Sequence, residues 1–111
     1  MSRLHVYVAG PYRQGDPLTN TLAAIDHGDL LWSLGYCPFI PHLNHFWHRR
    51  HPRSDQQWLD YDNHWLRCCD LLYRLPGASA GADAEVELAR SLGIPVVESL
   101  NQLVLEARAF E

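Results

Sequence analysis

Short apolar runs rich in Val, Leu, Ile and Tyr alternate along this chain with longer stretches whose apolar residues recur every three or four positions. The first pattern is that of buried strands and the second that of helices packed on one face. LHVYVA, Leu4 to Ala9, reads as a strand that stops at Gly10-Pro11. A helix is expected from about Leu18 to Leu34, with Leu18, Leu22, Ile25 and Trp32 near one face and Gly35 as its stop. Gly28 weakens the continuity of that helix. Tyr36 to Ile40 reads as a second strand, placed at a sheet edge by Pro38. The next stretch, PHLNHFWHRRHPR, fits neither helix nor strand. Ser54 with Gln57 is a capping-box signature for a helix from about Asp55 to Cys68. A strand over Leu71 to Leu75, a helix from about Ala82 to Leu92, a strand over Ile94 to Val97 and a helix from about Leu100 to Ala109 complete the chain.

Strands alternating with helices imply a parallel sheet covered on both faces. Ligands in such folds bind beyond the carboxyl ends of the strands. Here those ends are Tyr7 to Pro11, Ile40 to His42, Leu75 to Ser79 and Val97 to Ser99.

Two carboxylates break the pattern. Glu85 lines up at helical spacing with Ala82, Leu88, Ala89 and Leu92, while Asp83, Glu87 and Arg90 fall opposite. Asp62 likewise sits among Trp58, Leu59, Trp65, Leu66 and Cys69, with Asp60, His64 and Arg67 facing away. An acid on a buried face is paired, capped or functional. The bland readings are a Glu85 that caps its own helix and an Asp62 bound to an arginine.

Composition narrows the class. At 111 residues the chain is expected to be one domain spanning residues 1–111. Neither a run of about 20 apolar residues nor a signal-peptide start occurs, so no membrane partner and a cytoplasmic location are expected. The 3 cysteines, with Cys68 and Cys69 adjacent, make neither a disulfide framework nor a paired metal motif. A net charge of -4 argues against a nucleic-acid polymer as partner. Lysine is absent altogether, which excludes Schiff-base chemistry and a P-loop.

If the two acids converge on one cleft, they form the usual apparatus for breaking a glycosidic bond. Glu85 would be the nucleophile, kept ionised by its helix N-terminus, and Asp62 would bind the leaving group or manage its proton. The loop GASAGA offers backbone N–H groups and the Ser79 hydroxyl to an anion, with Arg13 as the cation. A simple turn is the competing explanation of that loop. His42, His45, His48 and His51 recur every third residue, yet no cysteine or carboxylate completes a ligand set beside them. No metal and no cofactor are therefore expected, and with Trp47 and two arginines the segment reads as a lid or an interface. His5 is expected to be structural.

VYVAGPY, the spacing from Asp62 through Asp70 to Glu85, and S-x-G-A-x-x-E together resemble the nucleoside 2-deoxyribosyltransferase superfamily, above all its short members with HFWH and CDLLYRLPG-like stretches. The resemblance runs from Val6 to Val97 and implies a three-layer, Rossmann/flavodoxin-like α/β sandwich with about four parallel strands. It implies Glu85 as the attacking nucleophile, Asp62 as the acid assisting at sugar and base, and Tyr7 as the residue positioning sugar and nucleophile. Gly10, Arg13, Ser79 and Gly81 fall at its substrate-binding positions. Six residues before the nucleophile the transferases carry a base-contacting aspartate, whereas the 2'-deoxynucleoside 5'-phosphate N-hydrolases carry a phosphate-binding serine; here it is Ser79. The resemblance thus implies a small nucleoside or nucleotide substrate and a homo-oligomer. The chain is shorter than most members, and its His-rich segment is unlike theirs.

Overall fold

The structure is a computed structural model that describes residues 3–111. Strand β1 (His5–Ala9) leads to helix α1 (Pro17–Ser33) and strand β2 (Cys37–Phe39). A 3-10 turn (Pro41–Leu43) passes into α2 (Asn44–Arg50) and α3 (Asp55–Leu66). Then follow β3 (Leu71–Arg74), α4 (Ala80–Ser91), β4 (Val96–Val97) and α5 (Leu100–Ala107). The four strands are all parallel, in the order β2-β1-β3-β4, with β1 paired to β2 from His5 against Cys37 and to β3 from Val6 against Leu71. The proline-bearing β2 lies at an edge, where a missing N–H breaks no ladder.

Strand pleating sorts the core into two layers. Val6 and Val8 of β1 point to one face, where Ala24, Leu31, Val97 and Leu103 meet them. Tyr7 and Ala9 point to the other, against Leu66, Ala82 and Ala89. Helices α1 and α5 therefore cover one face and α3 and α4 the other, giving a three-layer sandwich. This alternation sends Tyr7 toward the two helices that carry Asp62 and Glu85.

Helix caps follow the chemistry of the sequence. Ser54 and Gln57 form the capping box at the head of α3, and Ser79 caps α4, which starts at Ala80 rather than Ala82. Gly35 closes α1 with φ of +98°, a left-handed turn that L side chains rarely adopt.

Two local expectations are corrected. The stretch after β2 is helical: Pro41 opens its 3-10 turn, and α2 carries His48, Arg49 and Arg50 in its last turn, where cations suit the helix dipole. Its periodicity is hidden because Trp47 packs edge-on against Trp58 and Tyr61 of α3, not against the sheet. In α1 the face that is buried is Thr21, Ala24, Gly28 and Leu31, while Leu18, Leu22 and Trp32 are 43%, 51% and 57% exposed. Small side chains let α1 lie close to the edge strand, and Gly28 leaves the helix unbroken because contact requires it there. A Cβ at Gly28 would stand 2.2 Å from Ile40 Cδ1 and 2.8 Å from Cγ1.

Gly28→Ala is accordingly expected to destabilise the protein by about 1 kcal/mol, overpacking at Ile40 outweighing alanine's better helix propensity. Chemical denaturation checks this, with Ile40→Val added to restore the space. A more stable single variant would show that the contact imposes no constraint.

Candidate active site

The carboxyl ends of β1, β2 and β3 open onto one cleft of about 450 Å³. Gly10, Tyr12 and Arg13 reach it from the loop after β1, Pro41 and His42 from the loop after β2, and Ala80 and Gly81 from the start of α4. Helices α2 and α3 supply the opposing wall through Asn44, His45, His48, Asp55, Trp58, Leu59 and Asp62. Glu85 lies in the floor. A volume of this order suits a ligand of nucleotide size.

Tyr7 does not line the cleft directly. It is fully buried beneath it, and its hydroxyl donates to Glu85 Oε2. Burial, followed by the nearby Glu85 charge, pushes the Tyr7 phenol well above its ordinary range, so it remains a donor. Phe39 packs on Tyr7 at 5.5 Å between ring centroids and stacks on Trp65 at the same distance, which limits the ring's freedom.

Burial also pushes Glu85 up to about 7; the hydrogen bond from Tyr7 opposes the shift, the Asp62 charge adds to it, and Arg74 opposes it. Asp62 is pushed up to about 7 by burial against the opposing hydrogen bond from Asn44, whose Nδ2 donates to Asp62 Oδ1 at 2.7 Å. The expectation that a helix N-terminus keeps Glu85 readily ionised is corrected by this balance. Glu85 stands in the second turn of α4, where the dipole has faded and desolvation dominates. Burial is thus the leading cause of both shifts, and the Asp62 charge adds to that of Glu85.

The remaining sequence candidates take different places. Arg13 lines the cleft but is tied to Asp55, its Nη2 donating to the carboxylate. Gly81 borders open space and Gly10 packs under Leu75. Ser79 is not in the lining; its hydroxyl accepts the Ala82 N–H at 3.1 Å. That leaves the N–H groups of Ala80 and Gly81, at the mouth of α4, for a ligand.

The histidine segment supplies structure to the cleft wall. His42 is 6% exposed; its Nε2 donates to the Pro11 carbonyl at 3.0 Å, and its Nδ1 is buried without a partner. His45 Nδ1 shares a 2.6 Å hydrogen bond with the Tyr12 hydroxyl, and His48 Nδ1 accepts from Trp58 Nε1 at 2.8 Å. Among the described residues no group of three or more His, Cys, Asp or Glu side chains is placed to hold a metal ion. No helix of the described residues is long and apolar enough to cross a membrane.

Asn44, Tyr12 and Asp55 escape sequence reasoning. Asn44 sits in the stretch whose helicity was hidden, and Asp55 looks like an ordinary first-turn acid. Its partner Arg13 is 42 residues away, and no local pattern links them.

A family model described as a domain of unknown function (DUF7768) matches residues 4–99. No curated protein matches the sequence. Among solved structures the fold is similar to a 2-deoxyribosyltransferase from the psychrotolerant bacterium Bacillus psychrosaccharolyticus, with 19% identity, 83% of this chain and 69% of that one covered, and a TM-score of 0.63. It is also similar to a conserved protein from Enterococcus faecalis V583, with 24% identity, 87% of this chain and 63% of that one covered, and a TM-score of 0.66. The chain thus spans less than two thirds of the second protein, and it shares the Rossmann/flavodoxin-like architecture of both.

The raised Glu85 carboxyl has a consequence for stability. Its folded value lies above the unfolded one, so its contribution is fully present below the unfolded value of about 4.3 and is lost as pH rises through about 7. Glu85→Gln is expected to lose less stability than the wild type between pH 5 and pH 8, read from urea midpoints. Parallel pH curves for the two proteins would refute this.

Proposed function

The chain belongs to the family described as a domain of unknown function, DUF7768, and we propose that it cleaves the base–sugar bond of a (deoxy)nucleoside 5'-monophosphate through a covalent bond between the sugar and Glu85. What carries the reading is the pairing of Glu85 with the buried Tyr7 hydroxyl on the floor of a cleft that Asp62 also lines. A binding module has no need of a hydrogen-bonded, half-buried carboxylate at that depth.

The Tyr7 hydrogen bond holds Oε2 and leaves Oε1 to attack the anomeric carbon. As the carbon–oxygen bond forms, the carbon–nitrogen bond breaks and its electron pair passes to the base. Asp62 in its protonated form, which burial favours, gives the base nitrogen its proton. The Asp62 carboxylate then takes a proton from water, whose oxygen attacks the same carbon and releases Glu85. Asn44 fixes the Asp62 rotamer through both steps. The 5'-phosphate meets Arg13 and the first N–H groups of α4, while Ser79 holds that helix start in place. The fold shared with a 2-deoxyribosyltransferase keeps a second reading open, in which a base replaces water in the second step.

Incubation with a panel of nucleosides and their monophosphates, with free base measured by chromatography, tests the proposal. Base release is expected to peak near pH 7 and to fall by roughly a thousandfold or more in Glu85→Gln. Release that survives this substitution would sink the mechanism, and no release from any substrate would favour a binding module. An added acceptor base separates the two enzymes, since transfer alone makes a new nucleoside.

A further inference from the structure

Arg13 is the only arginine lining the cleft among the described residues, and the chain has no lysine. That guanidinium is already occupied. Asp55, in the first turn of α3, accepts its hydrogen bond, and the two side chains are 65% and 70% exposed at the rim. Three carboxylates, of Asp55, Asp62 and Glu85, therefore share the cleft with one cation. A carboxylate and a phosphate present the same oxygen fork to a guanidinium, so Asp55 holds the position a phosphate would take.

The loop behind Arg13 is anchored independently of this pair. Asn20 Nδ2 donates to the Tyr12 and Gln14 carbonyls at 2.9 Å and 2.7 Å, and Tyr12 is bonded to His45. Exchange of partners at Arg13 thus needs only side-chain movement. Because the ion pair is exposed, it is weak enough to be exchanged.

We infer that Asp55 is a specificity-determining residue: its carboxylate competes with the ligand's 5'-phosphate for Arg13, so a phosphorylated ligand binds only by taking the guanidinium from it. This rests on the nucleotide reading above. Asp55 then lowers the preference of the cleft for monophosphates over the neutral nucleosides that carry the same base and sugar.

Calorimetric titration of a deoxynucleoside and its 5'-monophosphate into Glu85→Gln protein, which blocks turnover, tests this. Adding Asp55→Asn is expected to raise the monophosphate-to-nucleoside affinity ratio about two- to fivefold at low salt, with a smaller gain at high salt. Asp55→Glu keeps the charge and is expected to keep the lower ratio. An unchanged or lower ratio in Asp55→Asn, an equal rise in Asp55→Glu, or no binding of either ligand would overturn the inference. Thermal unfolding monitors the fold, and Asp55→Ser serves if the asparagine variant is unstable. Base release with an unchanged ratio sinks this inference alone, whereas a shifted ratio without base release sinks the reaction alone.

Discussion

The hydrogen bond from Tyr7 to Glu85 ties the sheet to the cleft above it. Tyr7 is held by its place in the central strand, with neighbours hydrogen-bonded on both sides, and it has no exposed surface. A phenol so confined must satisfy its hydroxyl locally, and Glu85 is the group that does so. The carboxylate in turn is fixed at one oxygen and desolvated, which moves its titration toward neutrality. One contact thereby joins the packing of the core to the protonation of the site.

Around this contact the cleft is built from loops that the sheet holds at fixed spacing and from an excursion that rests on the sheet through Leu66 of α3. The segment between β2 and β3 contains α2 and α3 and is secured mainly by aromatic contacts and side-chain hydrogen bonds. Trp47, Trp58 and Tyr61 pack edge to face, and Arg53 lies over both tryptophan rings. These contacts join α2 to α3 in the wall of the cleft. The bond from Asn44 to Asp62 then links α2 to α3, and those of His45 and His42 join the excursion to the loop after β1. The histidines expected to form a lid or an interface contribute most as cross-braces of that wall.

Charge is distributed with depth. The inner acids are half-buried and titrate near 7, whereas the outer pair of Arg13 and Asp55 is solvated and ionised, the guanidinium beside Asp55 holding its carboxyl below the usual range. In the proposed reaction, proton exchange and charge recognition would therefore occupy different zones of the cleft. Arg74, outside the lining, opposes the upward shift of Glu85 and donates to the carbonyls of Leu75 and Gly77 and to Asp83, bracing the loop that leads into α4.

The alternation of strands and helices, the edge position of β2, the capping box of α3 and the stop at Gly35 were all legible in the sequence, because each depends on residues within a few positions of one another. The same local periodicity marked Asp62 and Glu85 as acids on apolar faces. It misjudged α1, where close approach to the edge strand favours small residues over large ones, and it missed α2, whose apolar partners lie on α3. Tertiary structure alone decided that Tyr7 meets Glu85, that Asn44 holds Asp62, that burial outweighs the helix dipole at Glu85, and that Asp55 holds Arg13. Those outcomes join residues distant in the chain, or depend on how much water surrounds them, and neither quantity is carried by a local pattern.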